Sequence, residues 1–216
     1  MFRNRTEAGQ KLAARLQAYN HQPDVLVLAL PRGGVPVGYE IARALHAPVD
    51  VFVVRKLGVP WNPELAMGAV ATGGVRVFEE ETVRMLAIPG EEIAKVAARE
   101  ERELERRERA YRGGRTPFPV AGRKVILVDD GVATGSTMRA GVAALRRLRP
   151  AQIVIAVPVA PRATCAMLRK LADEVVCLIE AEDFFAIGEW YEDFSQLTDQ
   201  DVQKLLGDDS GLISAA

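Results

Sequence analysis

Val125-Ile126-Leu127-Val128-Asp129-Asp130-Gly131-Val132-Ala133-Thr134-Gly135-Ser136-Thr137 changes character three times within a short span. Four branched apolar residues without alternation read as a strand buried on both faces of a parallel sheet. Two carboxylates follow, then a turn of small and hydroxyl residues, and Met138, Val142, Leu145 and Leu148 recur at helical spacing. A helix start offers unpaired N–H groups and a partial positive charge, and glycine lets an anion approach closely. The turn over 131–137 therefore predicts a phosphate site. The adjacent acids can accept hydrogen bonds from vicinal sugar hydroxyls or hold Mg²⁺ through water.

Hydrophobic strand, Asp129-Asp130, three residues, Thr134-Gly135, one residue, Thr137 resembles the phosphoribosyl pyrophosphate (PRPP) motif of the type I phosphoribosyltransferases, enzymes of nucleotide and nucleoside metabolism. A P-loop NTPase is excluded because Gly135 is followed by Ser136 and Thr137 with no lysine. The resemblance implies an open, mostly parallel α/β sheet flanked by helices. It further implies Mg²⁺-dependent transfer of the 5-phosphoribosyl group from PRPP to a nitrogen base with release of pyrophosphate, in a homodimer. PRPP would be bound by Asp129, Asp130, Gly131, Val132, Ala133, Thr134, Gly135, Ser136 and Thr137, and Mg²⁺ would sit near Asp129 and Asp130 through water or PRPP hydroxyls.

Upstream, Val25 to Leu30 reads as another buried strand, ending in Pro31-Arg32-Gly33-Gly34 before a helical repeat of Val37, Ile41 and Leu45. Paired glycines and a fixed cation suit a pyrophosphate group. By resemblance this is the family's pyrophosphate loop, which implies a cis Pro31–Arg32 peptide. Val49 to Val54 predicts a third strand delivering Arg55 and Lys56 at its end, where open parallel sheets bind ligands. The resemblance implies that Lys56 or Arg55 reaches the PRPP phosphates, with Lys56 also a candidate catalytic residue. Leu65 to Ala71, the Gly73-Gly74 turn and Val75 to Phe78 predict a β excursion.

Residues 89–112 carry seven acidic and seven basic side chains with a thin apolar stripe, a long solvated helix strengthened by Glu103–Arg107, Glu105–Arg109 and Glu108–Arg112 pairs. Such balance argues against a nucleic-acid arm. The resemblance implies a mobile lid over the reacting centre, either residues 57–63 or Arg112-Gly113-Gly114-Arg115; Arg112 and Arg115 would neutralise the departing pyrophosphate. After a second strand–helix–strand run (Ile153 to Val159, Arg162 to Leu171, Val175 to Ile179), Phe184, Phe185, Trp190, Tyr191 and Phe194 form an aromatic tail. It resembles the family's hood, and Phe185 and Trp190 are its candidate base-stacking residues. Thr198 and Asp201 predict a capped final helix.

The chain has 216 residues, 49% of them hydrophobic, and a net charge of −1. It reads as one domain, 1–216, with a core from about 24 to 179, a helical insertion at 89–112 and a hood at 180–216. Bulk charge argues against a general nucleic-acid or membrane-surface protein. Cys165, Cys177, His21 and His46 lack metal-ligand spacing. With no basic-apolar leader and no membrane-length apolar run, the expected location is cytoplasmic. Ala133 stands where the 6-oxopurine enzymes of the resembling family carry an aspartate as a possible proton acceptor and the adenine enzymes carry alanine. Either the base arrives with its nitrogen unprotonated, or a group such as Glu189 or Asp193 accepts the proton. The competing reading is a PRPP-binding regulator without turnover.

Overall fold

The computed structural model describes residues 1–208; the end of the predicted hood, 209–216, lies outside the described residues. The chain opens with α1 (Arg5–Arg15), whose first turn is capped by the Asn4 side chain accepting from the Glu7 N–H at 3.0 Å. It continues through β1 (Val25–Ala29), α2 (Gly34–Leu45), β2 (Val49–Val51), β3 (Val54–Val59), β4 (Asn62–Ala71), β5 (Val75–Phe78), α3 (Glu80–Met85) and α4 (Gly90–Arg112). Then come β6 (Lys124–Val128), α5 (Ser136–Arg147), β7 (Gln152–Pro161), α6 (Arg162–Leu168), β8 (Glu174–Ala181) and α7 (Asp199–Asp208).

Five strands pair in parallel in the order β2-β1-β6-β7-β8. The apolar runs without alternation are explained by helices on both faces. Along β1, Val25, Val27 and Ala29 pack with Leu12 of α1, Ile41 of α2 and Val202 of α7. The intervening Leu26 and Leu28 pack with Met138 and Leu145 of α5 and Cys165 of α6. Strand order reverses direction between β1 and β6, and the register Ala29↔Val128 starts their following loops side by side. That switch point is where open α/β sheets form a ligand crevice at the carboxyl ends of their strands.

The predicted strand over Val49 to Val54 is broken. β2 stops at Val51, and the chain turns so that β3 begins a separate antiparallel sheet, β3-β4-β5. The break is stabilised by the Thr72 hydroxyl, which accepts the Val53 N–H at 2.8 Å. Arg55 and Lys56 therefore belong to the small sheet and not to the end of a core strand. Residues 57–63, one of the two predicted lids, form the β3–β4 hairpin, with Val59 paired to Asn62. The Gly73-Gly74 turn joins β4 to β5 with both glycines at positive φ (85° and 71°), as a tight turn requires. α4 matches its predicted span. It buries Val96, Ala97, Leu104 and Tyr111, and two of the expected pairs form, Glu103–Arg107 at 2.8 Å and Glu108–Arg112 at 2.9 Å.

Candidate active site

The loop after β1 and the loop after β6 touch. The Leu30 N–H donates to Val128 O at 2.8 Å, and the Gly34 N–H to Leu30 O at 3.0 Å. A Cβ at Gly33 would overlap the Asp130 carboxylate, and one at Gly34 would lie 2.7 Å from Val128 O. Only glycine fits at either position. The Pro31–Arg32 peptide is cis.

Asp129 and Asp130 differ in setting. Asp130 is buried (7% exposed); Arg5 Nε donates to its Oδ2 at 2.7 Å, and the Tyr191 hydroxyl donates to its backbone oxygen at 2.6 Å. Asp129 is half-buried, with Oδ1 accepting the Asp130 N–H at 2.9 Å. Burial, and after it the Asp130 charge, push the Asp129 carboxyl well above the usual range. Burial first and then Asp130 also raise the Tyr191 phenol, so it stays a hydrogen-bond donor to the motif backbone.

The turn leads into α5 with one long local bond at its start, the Ser136 N–H donating to Thr134 Oγ1 at 3.4 Å. Gly135 occupies the left-handed region (φ 79°) as the residue preceding the helix and supplies no side-chain cap. The next N–H groups of α5, those of Thr137 and Met138, have no side-chain cap and can meet an anion. Around them Ala133, Thr134, Ser136 and Thr137 are exposed, or nearly so, and the Thr134 and Ser136 hydroxyls lie 3.1 Å apart. Three neighbours brace the turn from behind. Thr164 Oγ1 donates to Ala133 O at 2.7 Å, the Val132 N–H donates to Val159 O at 3.0 Å, and Ile187 leaves no room for a side chain at Gly131.

Beside Asp130 opens a cavity of about 440 Å³ whose walls include Arg5, Arg32, Gly33, Arg107 and Phe194. Arg32 reaches the start of α7, donating from Nε to Asp199 Oδ1 at 2.9 Å and from Nη1 to Leu197 O at 2.9 Å. The Arg5 guanidinium lies 3.9 Å from the Phe194 ring centre. Arg5 and Arg107 line this cavity although the sequence reading gives them no role there; Phe194 belongs to the aromatic tail that it singles out. Arg5 lies 125 residues from its partner Asp130 in sequence, and Arg107 is one of seven bases in an evenly charged helix.

Other predicted site residues stand elsewhere. Arg112 is not in a lid: it is 5% exposed, with Nε on both Asp50 oxygens at 2.9 and 3.0 Å and Nη2 on Val51 O at 2.8 Å. The helix simply runs on to this residue before Gly113 ends it at φ 59°. Arg115 donates to Leu206 O at 2.7 Å, holding α7. Arg55 is tied to Glu100 of α4 by Nε at 3.0 Å and Nη2 at 2.5 Å, so its charge is spent on packing α4 against the small sheet. Lys56 lines a different cavity of about 510 Å³, shared with Ser136 and Thr137, on the phosphate-turn flank and not the Arg32 flank. Trp190 packs its ring near Phe184 (6.4 Å, 19°), whereas Phe185 is 85% exposed. Asp193 accepts the Ser195 N–H at 3.0 Å, a bond that holds its carboxyl below the usual range and makes it a poor proton acceptor. Among the described residues, no cluster of three or more His, Cys, Asp or Glu side chains is placed to hold a metal, and no helix is long and apolar enough to cross a membrane.

A parallel sheet flanked by helices, with two loops meeting at its switch point, defines an open α/β class. Within it the chain belongs to the phosphoribosyl transferase domain family, whose model matches residues 3–193. It is 44% identical over 206 residues to "Putative phosphoribosyl transferase Rv0571c" of Mycobacterium tuberculosis; these are 95% of this chain and 46% of that protein, so the chain spans about half the length of that relative. It is 36% identical over 126 residues to "Bifunctional protein PyrR" of Listeria monocytogenes, covering 54% of this chain and 67% of that one. The crystal structure of TT1426 from Thermus thermophilus is 41% identical and superposes with a TM-score of 0.85 over 96% of this chain and 98% of that chain.

Proposed function

We propose that the chain transfers the 5-phosphoribosyl group of PRPP to a nitrogen base and releases pyrophosphate. The observation that supports this reading is the contact between the two loops, Gly33 against Asp130 and Gly34 against Val128 O, which sets the Arg32 loop beside the acidic pair and the turn into α5. Asp129 and Asp130 hold the ribose hydroxyls, and the open first turn of α5 with Thr134, Ser136 and Thr137 binds the 5-phosphate. Arg32 and the backbone at Gly33 and Gly34 bind the pyrophosphate. Lys56 serves the 5-phosphate side, where it shares a cavity with Ser136 and Thr137.

In the reaction the bond from ribose C1 to the pyrophosphate oxygen breaks with oxocarbenium character as the base nitrogen forms the new bond to C1. The electron pair leaves on pyrophosphate, and with no proton acceptor in the motif the base nitrogen enters already unprotonated. The chain lowers the barrier by holding the reactants in line and by placing cations where negative charge develops. Two adjacent carboxylates without a third ligand fit Mg²⁺, which binds through one or two carboxylates, waters and substrate oxygens and not in an all-protein cage. Asp129 and Asp130 would hold it through water or the PRPP hydroxyls, where it would neutralise phosphate charge. Phe185, exposed and two residues before the Ile187 that covers Gly131, is the residue for stacking the base. A homo-oligomer is part of this reading, and light scattering reads it.

Ala133 favours a second reading, a PRPP-binding regulator, because the motif carries no proton acceptor for the incoming base. Mass spectrometry of incubations with Mg²⁺, PRPP and a panel of purines, pyrimidines and other nitrogen acceptors separates the two. Formation of one ribonucleoside 5′-monophosphate supports transfer. Saturable PRPP binding without product from any acceptor supports the regulator.

A further inference from the structure

The cavity beside Asp130 takes guanidinium groups from three separate parts of the chain: Arg5 at the start of α1, Arg32 in the loop after β1 and Arg107 in the middle of α4. Among the described residues, the carboxylate that lines it is that of Asp130. Arg5 is held in place, with Nε on Asp130 and Nη1 donating to Ser195 O at 2.9 Å. Arg107 donates from Nε to Glu103 Oε1 at 2.8 Å, and Glu103 is shared with Arg106, which donates to it at 2.8 and 3.0 Å. The bonds from Arg106 and Arg107 push the Glu103 carboxyl down to about 2, so it stays charged yet is divided between two cations. A guanidinium has five N–H donors, and each of these arginines keeps donors beyond the bonds named. Fixed cations around a cavity of this size create a site for a polyanion, and bidentate guanidinium–phosphate geometry suits it.

We propose that Arg5 and Arg107 join Arg32 in binding the diphosphate and neutralising its charge as it leaves. They supply the positive charge that Arg112 and Arg115 cannot supply from their places against Asp50 and Leu206. The assignment rests on the phosphoribosyl-transfer reading, since that reading puts the diphosphate in this cavity. It makes the long charged helix a component of the site and not a solvated spacer. It also joins the two flanking helices, α1 and α4, to the motif loops.

Calorimetric titration with inorganic pyrophosphate tests it on the full chain. Wild type binds. Arg107→Gln weakens binding about tenfold or more, the loss of a charged hydrogen-bond donor, and Arg107→Lys recovers part of it. Arg102→Gln, a change on the same helix whose guanidinium caps Ala98 O, leaves binding unchanged. Arg5→Lys weakens binding while keeping a cation beside Asp130; if Arg5→Gln fails to fold, the Arg107 series still decides. Wild-type affinity in Arg107→Gln overturns the proposal and leaves the transferase reading standing. Failure of wild type to bind both pyrophosphate and PRPP overturns the transferase reading, and this proposal with it.

Discussion

Replacing Arg112 by alanine removes the cation that faces Asp50 in a buried pocket. Asp50 is itself 5% exposed and spends Oδ1 on the Val51 N–H at 2.8 Å as well as on Arg112. Without the guanidinium, Asp50 is left charged and desolvated, the Val51 carbonyl loses a donor, and Glu108 loses its 2.9 Å partner. Breaking a buried ion pair from one side costs about 3–5 kcal/mol. At roughly 2–4 °C per kcal/mol for a chain of this size, Tm should fall by about 6–20 °C. The assay is a thermal melt of Arg112→Ala against wild type, followed by turnover at a temperature where both are folded. The expected result is a large loss of Tm with kcat nearly intact. The double change Arg112→Met with Asp50→Leu should recover part of the lost stability, because it removes the uncompensated Asp50 charge but still leaves Glu108 without its partner. A variant that melts with wild type and loses a hundredfold in kcat would refute this and return Arg112 to a lid.

Three further outcomes follow from the site. Asp129→Asn should stabilise the protein at neutral pH by about 0.5–2 kcal/mol while abolishing PRPP binding, as expected where function holds a charge in an unfavourable place. The folded-state pKa of Asp129 is raised, so its carboxyl favours the fold when neutral and that contribution is lost as pH rises through the raised value. The Tm advantage of the asparagine should therefore shrink as pH is lowered, and an advantage that grows on acidification would contradict the assignment. Asp199→Asn frees Arg32 from a half-exposed ion pair worth about 0.2–1 kcal/mol. Pyrophosphate binding should tighten roughly 1.5- to 5-fold by calorimetry; weaker binding would show that Asp199 positions Arg32 and does not compete for it. Gly33→Ala forces a methyl group into the Asp130 carboxylate, and a clash of this kind costs about 1–3 kcal/mol. A melt that falls by several degrees, with PRPP binding lost, is expected, whereas unaltered affinity would sink the close-contact argument.

The central sheet was legible because β1, β6, β7 and β8 lie between helices on both faces and so read as apolar runs. The strand, turn and helix around the acidic pair were legible because their determinants are local: Gly135, the hydroxyls and the acids all lie within one stretch. What depended on distant pairing was not. Nothing near Arg5 marks it as the partner of Asp130, and nothing in the charge pattern of α4 distinguishes Arg107, which faces the cavity, from Arg112, which is buried. Glycines after Arg112 suggest a hinge, yet Gly113 is the left-handed residue that ends the helix. Val49 to Val54 has the composition of one strand, but the Thr72 hydroxyl that stabilises its break at Val53 comes from beyond β4. The aromatic tail divides in the same way: Tyr191 and Phe194 pack inward with Phe2, and Phe185 faces solvent. Composition alone cannot separate rings that close a core from a ring that stays exposed.

Calorimetric titration of Mg²⁺ and PRPP into wild type, Asp129→Asn and Gly33→Ala addresses the claim on which everything else depends, that the turn after β6 and the loop after β1 form one PRPP site. Saturable binding by wild type, displaced by pyrophosphate and lost in both variants, is the predicted result. Wild-type affinity in both variants, or no binding by wild type, would contradict it.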